Sequence, residues 1–396
     1  MAITNKQERF HFLDGLRGIA STMIVIHHAF SSNIALFFIH HNLPLIGMFL
    51  RLFTQSGVDL FFVLSGVVLL RPYLRKQRTS NVPDYFWRRL KRIYPPYFFA
   101  LLIGAAIVYF NNTFPTWYNV RGFHMGFSWL EMFKEAFIIN FDGNFFNLAW
   151  WSLGIEILFY MIVPLIIFTF PSQEKITGNR IVLTIAGTLL TTLALQIGIS
   201  HTIPYLYSLT TYVSTIGRFV EYPVCFLMGV FLATKDFDTK HGFYFILSGI
   251  VFILLGFILT NTGITAHFPS DFGQPFLYYS IFHSGYGMLY AGIIILSFNI
   301  QAMKQFLNKN IMVWLGERSY SLFLIHFSIF YFTDNLVSHF TANRNAYYGI
   351  LTRGIGIPFA FFMAMLLFWF VERKQARGLL TGKVFWPWHA GKIERE

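Results

Sequence analysis

Apolar residues come along this chain in runs of about 20, broken by short polar stretches rich in Asn, Pro, Gly and Thr. Wound as a helix, such a run has the length of a bilayer's hydrocarbon core. The pattern predicts ten membrane-crossing helices, near residues 13–31, 47–70, 93–110, 150–170, 181–200, 218–234, 243–261, 279–299, 314–333 and 347–371. The expected fold class is all-α, a polytopic membrane helix bundle forming one domain over residues 1–396. Neither an internal repeat nor a soluble C-terminal domain is expected. The segment 111–149 is aromatic-rich and suited to the membrane interface.

Composition supports this reading. The chain is 55% hydrophobic and 12% charged, against about 25% charged residues in soluble domains. Its formal charge of +12 lies mostly in short inter-helix segments, which argues against nucleic-acid binding. With the N-terminus in the cytoplasm, the inner segments hold Lys6, Arg9, Arg71, Arg75, Lys76, Arg78, Arg88, Arg89, Lys91 and Arg92 among others, while the outer loops hold Arg121, Lys134 and Arg344. Positive charge collects on the cytoplasmic side, so both termini are expected inside. The first apolar run is too long for a signal-peptide core and lacks a small-residue cleavage site. The single cysteine, Cys225, allows no intrachain disulfide and leaves the redox compartment open.

Ionisable residues inside such spans are costly and are therefore functional candidates. The first span carries Asp14 and Arg17 near one end and His27 and His28 near the other. Arg17 and His28 share a helix face, about 16 Å apart along the axis. His27 points about 100° away and suits a packed or interfacial role. Asp14 is too far from His28 to serve it and is expected to pair with Arg17. The second span holds Asp59, Ser65 and Gly66, the fourth Ser152 and Glu156, and the ninth Tyr320 and His326. Between spans two and three, Arg89 and Arg92 are helix neighbours that can grip a phosphate group. The nearby Arg71, Arg75, Lys76 and Arg78 are expected only to anchor the cytoplasmic face.

Taken together these residues resemble the acyltransferase-3 family of membrane acyltransferases. The resemblance rests on Leu13-Asp14-Gly15-Leu16-Arg17-Gly18 with His28-Ala29, on Gly57 to Gly66, on Arg89 with Arg92, on Trp151-Ser152-Leu153 with Glu156, Phe159 and Tyr160, and on Ser319-Tyr320 with His326. It implies transfer of an acyl group, often acetyl, from cytosolic acyl-CoA to a hydroxyl of an acceptor outside the membrane. In bacteria such acceptors include cell-envelope glycans. No tightly bound cofactor and no metal is implied; the acyl-CoA is the donor substrate.

On that reading Arg17, Arg89 and Arg92 hold the CoA phosphates, and the thioester reaches His28, which acts as general base or forms a transient acyl-histidine. A carboxylate should orient the imidazole. By depth Glu156 is the first candidate and Asp59 the second. Ser65, Ser152 and Tyr320 are candidate oxyanion donors, with Asp14 and His326 in support. The expected partners are membrane lipid, acyl-CoA and the acceptor, and the expected location is the bacterial inner membrane. The rival reading is a polytopic transporter or flippase for a lipid-linked or small anionic substrate. Against it, the candidate residues crowd into the first four spans and the halves show no repeat.

Overall fold

The computed structural model describes residues 10–74, 82–113, 127–137, 146–169, 222–261, 273–340 and 346–373. Among them no strand occurs, and the architecture is an all-α membrane bundle. The helices are α1 (His11–His40), α2 (Pro44–Gln55), α3 (Gly57–Leu74), α4 (Val82–Thr113), the short α5 (Trp129–Ala136), α6 (Trp151–Thr169), α7 (Pro223–Thr234), α8 (Thr239–Asn261), α9 (Gly273–Asn299), α10 (Gln301–Leu307), α11 (Asn310–Glu317), α12 (Ser319–Phe340) and α13 (Ala346–Leu367). A π-helical turn, Phe368–Glu372, continues α13.

Among the described residues, five helical stretches are long and apolar enough to cross a membrane: Pro44–Leu74, Val82–Thr113, Thr239–Leu259, Ile281–Asn299 and Leu351–Glu372. Trp151–Pro164 and Pro223–Thr234 are shorter apolar helices. α1 and α12, expected as the spans 13–31 and 314–333, also form helices and fall outside those five. They carry Arg17, His28 and His326. The expected span 181–200 lies outside the described residues.

Lipid as the outer solvent is visible on α8. Phe243, Leu247, Val251, Leu254 and Ile258 recur every three or four residues and are all more than half exposed. In water such a stripe could not stay uncovered. α9, packed along α8, is by contrast largely buried. The centre of the bundle is α1, which touches α2, α3, α10, α11, α12 and α13.

Small residues set how closely these helices meet, as expected where lipid supplies no hydrophobic drive between helices. A Cβ at Gly66 of α3 would meet the backbone of Phe226 and Val230 on α7, and one at Gly229 of α7 would meet the Val63 carbonyl. Gly15 and Gly18 of α1 press in the same way on Leu307, Met312 and Gly316. The glycines of Leu13-Asp14-Gly15-Leu16-Arg17-Gly18 are thus packing devices. They let the backbone of α1 approach α10 and α11, while Arg17 between them faces another way.

Candidate functional site

Two polar clusters lie along α1, which is unbroken between Arg17 and His28, so the two side chains arise about 16 Å apart. At the Arg17 end, residues of α1, α3, α4, α6 and α12 enclose a cavity. Its polar lining is Arg17, Ser65, Arg92, Ser152, Glu156, Tyr160, Ser319 and Tyr320, and its apolar lining includes Ile24, Phe61 and Phe323. Arg92 enters it just before Pro95 and Pro96. Those prolines have no N–H to offer the carbonyls of Lys91 and Arg92, so the helix is weakened where it borders the cavity.

The charges in this cluster are mixed. The Tyr160 hydroxyl donates to Glu156, one turn back on α6. Arg17 faces Arg92, Asp14 and Glu156. The π-helical turn brings in Glu372, which accepts from the Ser321 hydroxyl and faces Arg92 and Arg17. Each guanidinium therefore has a carboxylate nearby without a bidentate lock, an arrangement in which a phosphate can compete for the same donors. Arg89 differs from Arg92. It is buried, is not among the cavity's lining residues, and lies over the rings of Tyr85 at 5.5 Å and Tyr160 at 5.7 Å.

The second cluster sits one turn beyond Ile24 and Phe323. His28 is half-buried, and its Nδ1 is 3.0 Å from Nε2 of His326 on α12. His326 is fully buried, with Nδ1 3.0 Å from the Leu322 carbonyl and 2.9 Å from that of Phe323. The Phe327 ring packs edge-on against His28, 5.4 Å between centroids. His27 turns away to α2, where its Nδ1 lies 3.3 Å from the Thr54 hydroxyl.

The expected carboxylate beside His28 is not what the geometry holds. Among the described residues its side-chain hydrogen-bond partner is another imidazole. Glu156 belongs to the arginine cavity. Asp59 is buried in a third cluster, where its Oδ1 accepts from His283 at 2.7 Å and from the Cys225 thiol at 3.2 Å. The reason is helix direction. Gly57 packs on Ala20 and Ile24 of α1 while Ser65 lines the cavity with Arg17, so α3 runs antiparallel to α1. Asp59 thus begins below His28 and faces α7 and α9. Tyr320 donates its hydroxyl to the Ile93 carbonyl at 3.0 Å, and Ser152 to the Ala149 carbonyl at 3.5 Å. Asp14 lies 4.0 Å from His11 Nδ1 and also faces Arg17. No three His, Cys, Asp or Glu side chains among the described residues are placed to hold a metal ion.

With both clusters placed, comparison with known proteins is informative. The acyltransferase-3 pattern, described as an acyltransferase domain, matches residues 10–373. The chain belongs to the acyltransferase-3 family. Protein 2 of the picA locus of Rhizobium radiobacter is 36% identical over 104 residues, covering 25% of this chain and 46% of that protein. A provisionally named O-acetyltransferase of Staphylococcus aureus strain COL is 28% identical over 351 residues, 82% of this chain and 51% of that protein. O-acetyltransferase OatA of Staphylococcus aureus strain NCTC 8325 is 25% identical over 401 aligned positions, 97% of this chain and 60% of that protein. The chain thus spans about half the length of the first relatives it matches. No solved structure matches it.

Within this acyltransferase domain the structure adds residues that the sequence reading did not single out. Arg353 of α13 is buried and makes a bidentate pair with Asp334 of α12 at 3.0 and 3.1 Å. Its Nε–H also donates to the Ala29 carbonyl at 2.8 Å, tying the turn that carries His28 to both helices. His283 and Glu372 were likewise passed over. A lone arginine or histidine in an apolar run is the one signal the sequence offers for such residues; their partners lie on distant helices and cannot be read from spacing.

Proposed function

We propose that this chain is a membrane O-acyltransferase that moves an acetyl group from cytosolic acetyl-CoA to a hydroxyl of an extracytoplasmic glycan, working in the bacterial cytoplasmic membrane with both termini inside. The observation that carries the reading is the alignment of two clusters on α1. The arginine cavity reaches Ile24, and His28 stands one turn further on. A CoA thioester has phosphates at one end and the reactive carbonyl at the other. Arg17 and Arg92 suit the phosphates through charge-assisted bonds. The pantetheine arm then follows α1 past Ile24, and the carbonyl meets the acceptor hydroxyl beside His28.

His28 takes the hydroxyl proton as the oxygen attacks the thioester carbon. The C–S bond breaks, and the proton passes from the imidazole to the departing thiolate. Acetyl-CoA is consumed as a substrate and no resident cofactor takes part. The names of the relatives, O-acetyltransferases of Staphylococcus aureus, favour an acetyl group and an oxygen acceptor.

The test is reconstitution of the full chain in proteoliposomes with labelled acetyl-CoA on one side and cell-envelope glycan on the other. Mass spectrometry should find acetyl esters on the glycan with the wild type and none with His28→Ala. His27→Ala should remain active, because its ring faces Thr54. Well-folded wild-type protein that leaves acetyl-CoA intact overturns the proposal. So does equal activity in both histidine variants.

A further inference from the structure

We propose that His326 is a positioning residue that fixes the tautomer of His28, so that Nε2 of His28 is the atom that takes the proton or the acyl group. The inference rests on the reading of His28 as the reacting base and adds to it which nitrogen reacts and what selects it.

Nδ1 of His326 lies 3.0 Å from the Leu322 carbonyl and 2.9 Å from the Phe323 carbonyl. Carbonyl oxygens only accept, so this nitrogen carries a proton in every protonation state that keeps those contacts. In a neutral His326 the other nitrogen, Nε2, is then a lone pair. That lone pair faces Nδ1 of His28 at 3.0 Å. Two lone pairs cannot bond, so Nδ1 of His28 must supply the hydrogen. A neutral imidazole has one N–H, and Nε2 of His28 is left free. The hydrogen bond made by one ring nitrogen thus sets the state of the other.

A further contact agrees. The buried Arg353 holds the Ala29 carbonyl, next along the chain, and keeps the His28 turn in register with α12 and α13.

This arrangement does the orienting task expected of a carboxylate without burying a negative charge. A buried carboxylate would need its own compensation in a low-dielectric site. The neutral imidazole costs less and still accepts from Nδ1–H when His28 becomes a cation. In the direct route the proton moves from the acceptor hydroxyl to Nε2 and then to the thiolate. In the covalent route Nε2 attacks the carbonyl, a C–N bond forms and the C–S bond breaks. The acyl group then leaves Nε2 for the hydroxyl, whose proton ends on the CoA sulfur. Both routes need the same free lone pair.

The experiment has a spectroscopic arm and a kinetic arm, both on the full chain in nanodiscs. With 15N-labelled histidine, the His28 signals are assigned by difference from His28→Ala. The wild type should show Nδ1 protonated and Nε2 bare. His326→Leu, which has no acceptor, should shift His28 toward the Nε2–H form. His326→Gln places an amide oxygen close to where Nε2 stood and should restore the wild-type pattern. In transfer assays His326→Leu should lower kcat by about 100-fold or more with KM for acetyl-CoA within about twofold. His326→Gln should recover at least about tenfold of that loss, as expected when one positioned acceptor is regained. A wild-type His28 protonated at Nε2 overturns the proposal, as does equal loss of activity in the Leu and Gln variants. If the tautomers behave as expected while His28→Ala stays active, the base assignment fails and the positioning role in transfer falls with it. The tautomer alone then survives.

Discussion

Arg89 and Arg92 of α4 should behave differently when removed, and the difference can be estimated. Arg92 lines the cavity and Arg89 does not. A hydrogen bond to a charged group contributes about 1.5–3 kcal/mol, and each 1.4 kcal/mol is tenfold in affinity. Arg92→Gln should therefore raise the Kd for CoA by about 10- to 100-fold. Arg89 lies over the rings of Tyr85 and Tyr160. A cation–π contact of this kind is worth about 0.5–2 kcal/mol to the fold. Arg89→Gln should thus lower thermal stability while changing the Kd for CoA by about threefold or less, since a contact to phosphate is not lost. Loss of Arg92 also leaves Arg17 to face Glu156 and Glu372 with one cation fewer, so some loss of stability accompanies the loss of binding. The assay is equilibrium binding of CoA to the full chain in nanodiscs, with melting followed in parallel. Wild-type affinity in Arg92→Gln beside a tenfold or larger loss in Arg89→Gln would refute the cavity as the phosphate site.

Other substitutions test the parts around the site. Asp59→Asn should melt earlier, by about 1–3 kcal/mol for a weakened charge-assisted bond, yet retain transfer activity, because Asp59 faces His283 and Cys225; a stable but inactive variant would put Asp59 back in the reaction. Arg353→Lys cannot reproduce the paired bonds to Asp334 and the third to Ala29, and thermal unfolding should show a loss of about 2 kcal/mol or more for this buried pair. Wild-type melting would mean the clamp is not stabilising. Gly66→Leu should prevent α3 and α7 from closing, since even a Cβ there meets the Phe226 and Val230 backbone. Overpacking costs about 1–3 kcal/mol or more, and normal yield and melting of this variant would contradict the close approach.

The solvent and the candidate residues were legible in the amino-acid pattern alone. Runs such as 243–261 have the length and apolarity that lipid demands, and α8 follows with its exposed stripe of Phe243, Leu247, Val251, Leu254 and Ile258. Helix periodicity also settled that Arg17 and His28 share α1 at a separation a pantetheine arm can span, and that His27 points elsewhere. These are properties of one helix, fixed by a rise and a rotation per residue. What met His28 was decided only by tertiary structure. Depth counted from helix ends favoured Glu156 and then Asp59, but depth says nothing of rotation about each axis. The antiparallel run of α3 gave Asp59 to His283, and α6 turned Glu156 toward Arg17 and Arg92. His326, 298 residues from His28 in the chain, reached it because the glycines of α1 and α11 let α1 settle close to the short helix that leads into α12. Arg353 and Asp334 were invisible for the same reason: an ion pair within a membrane is specified by which helix faces pack together, and one sequence records the faces without recording their partners.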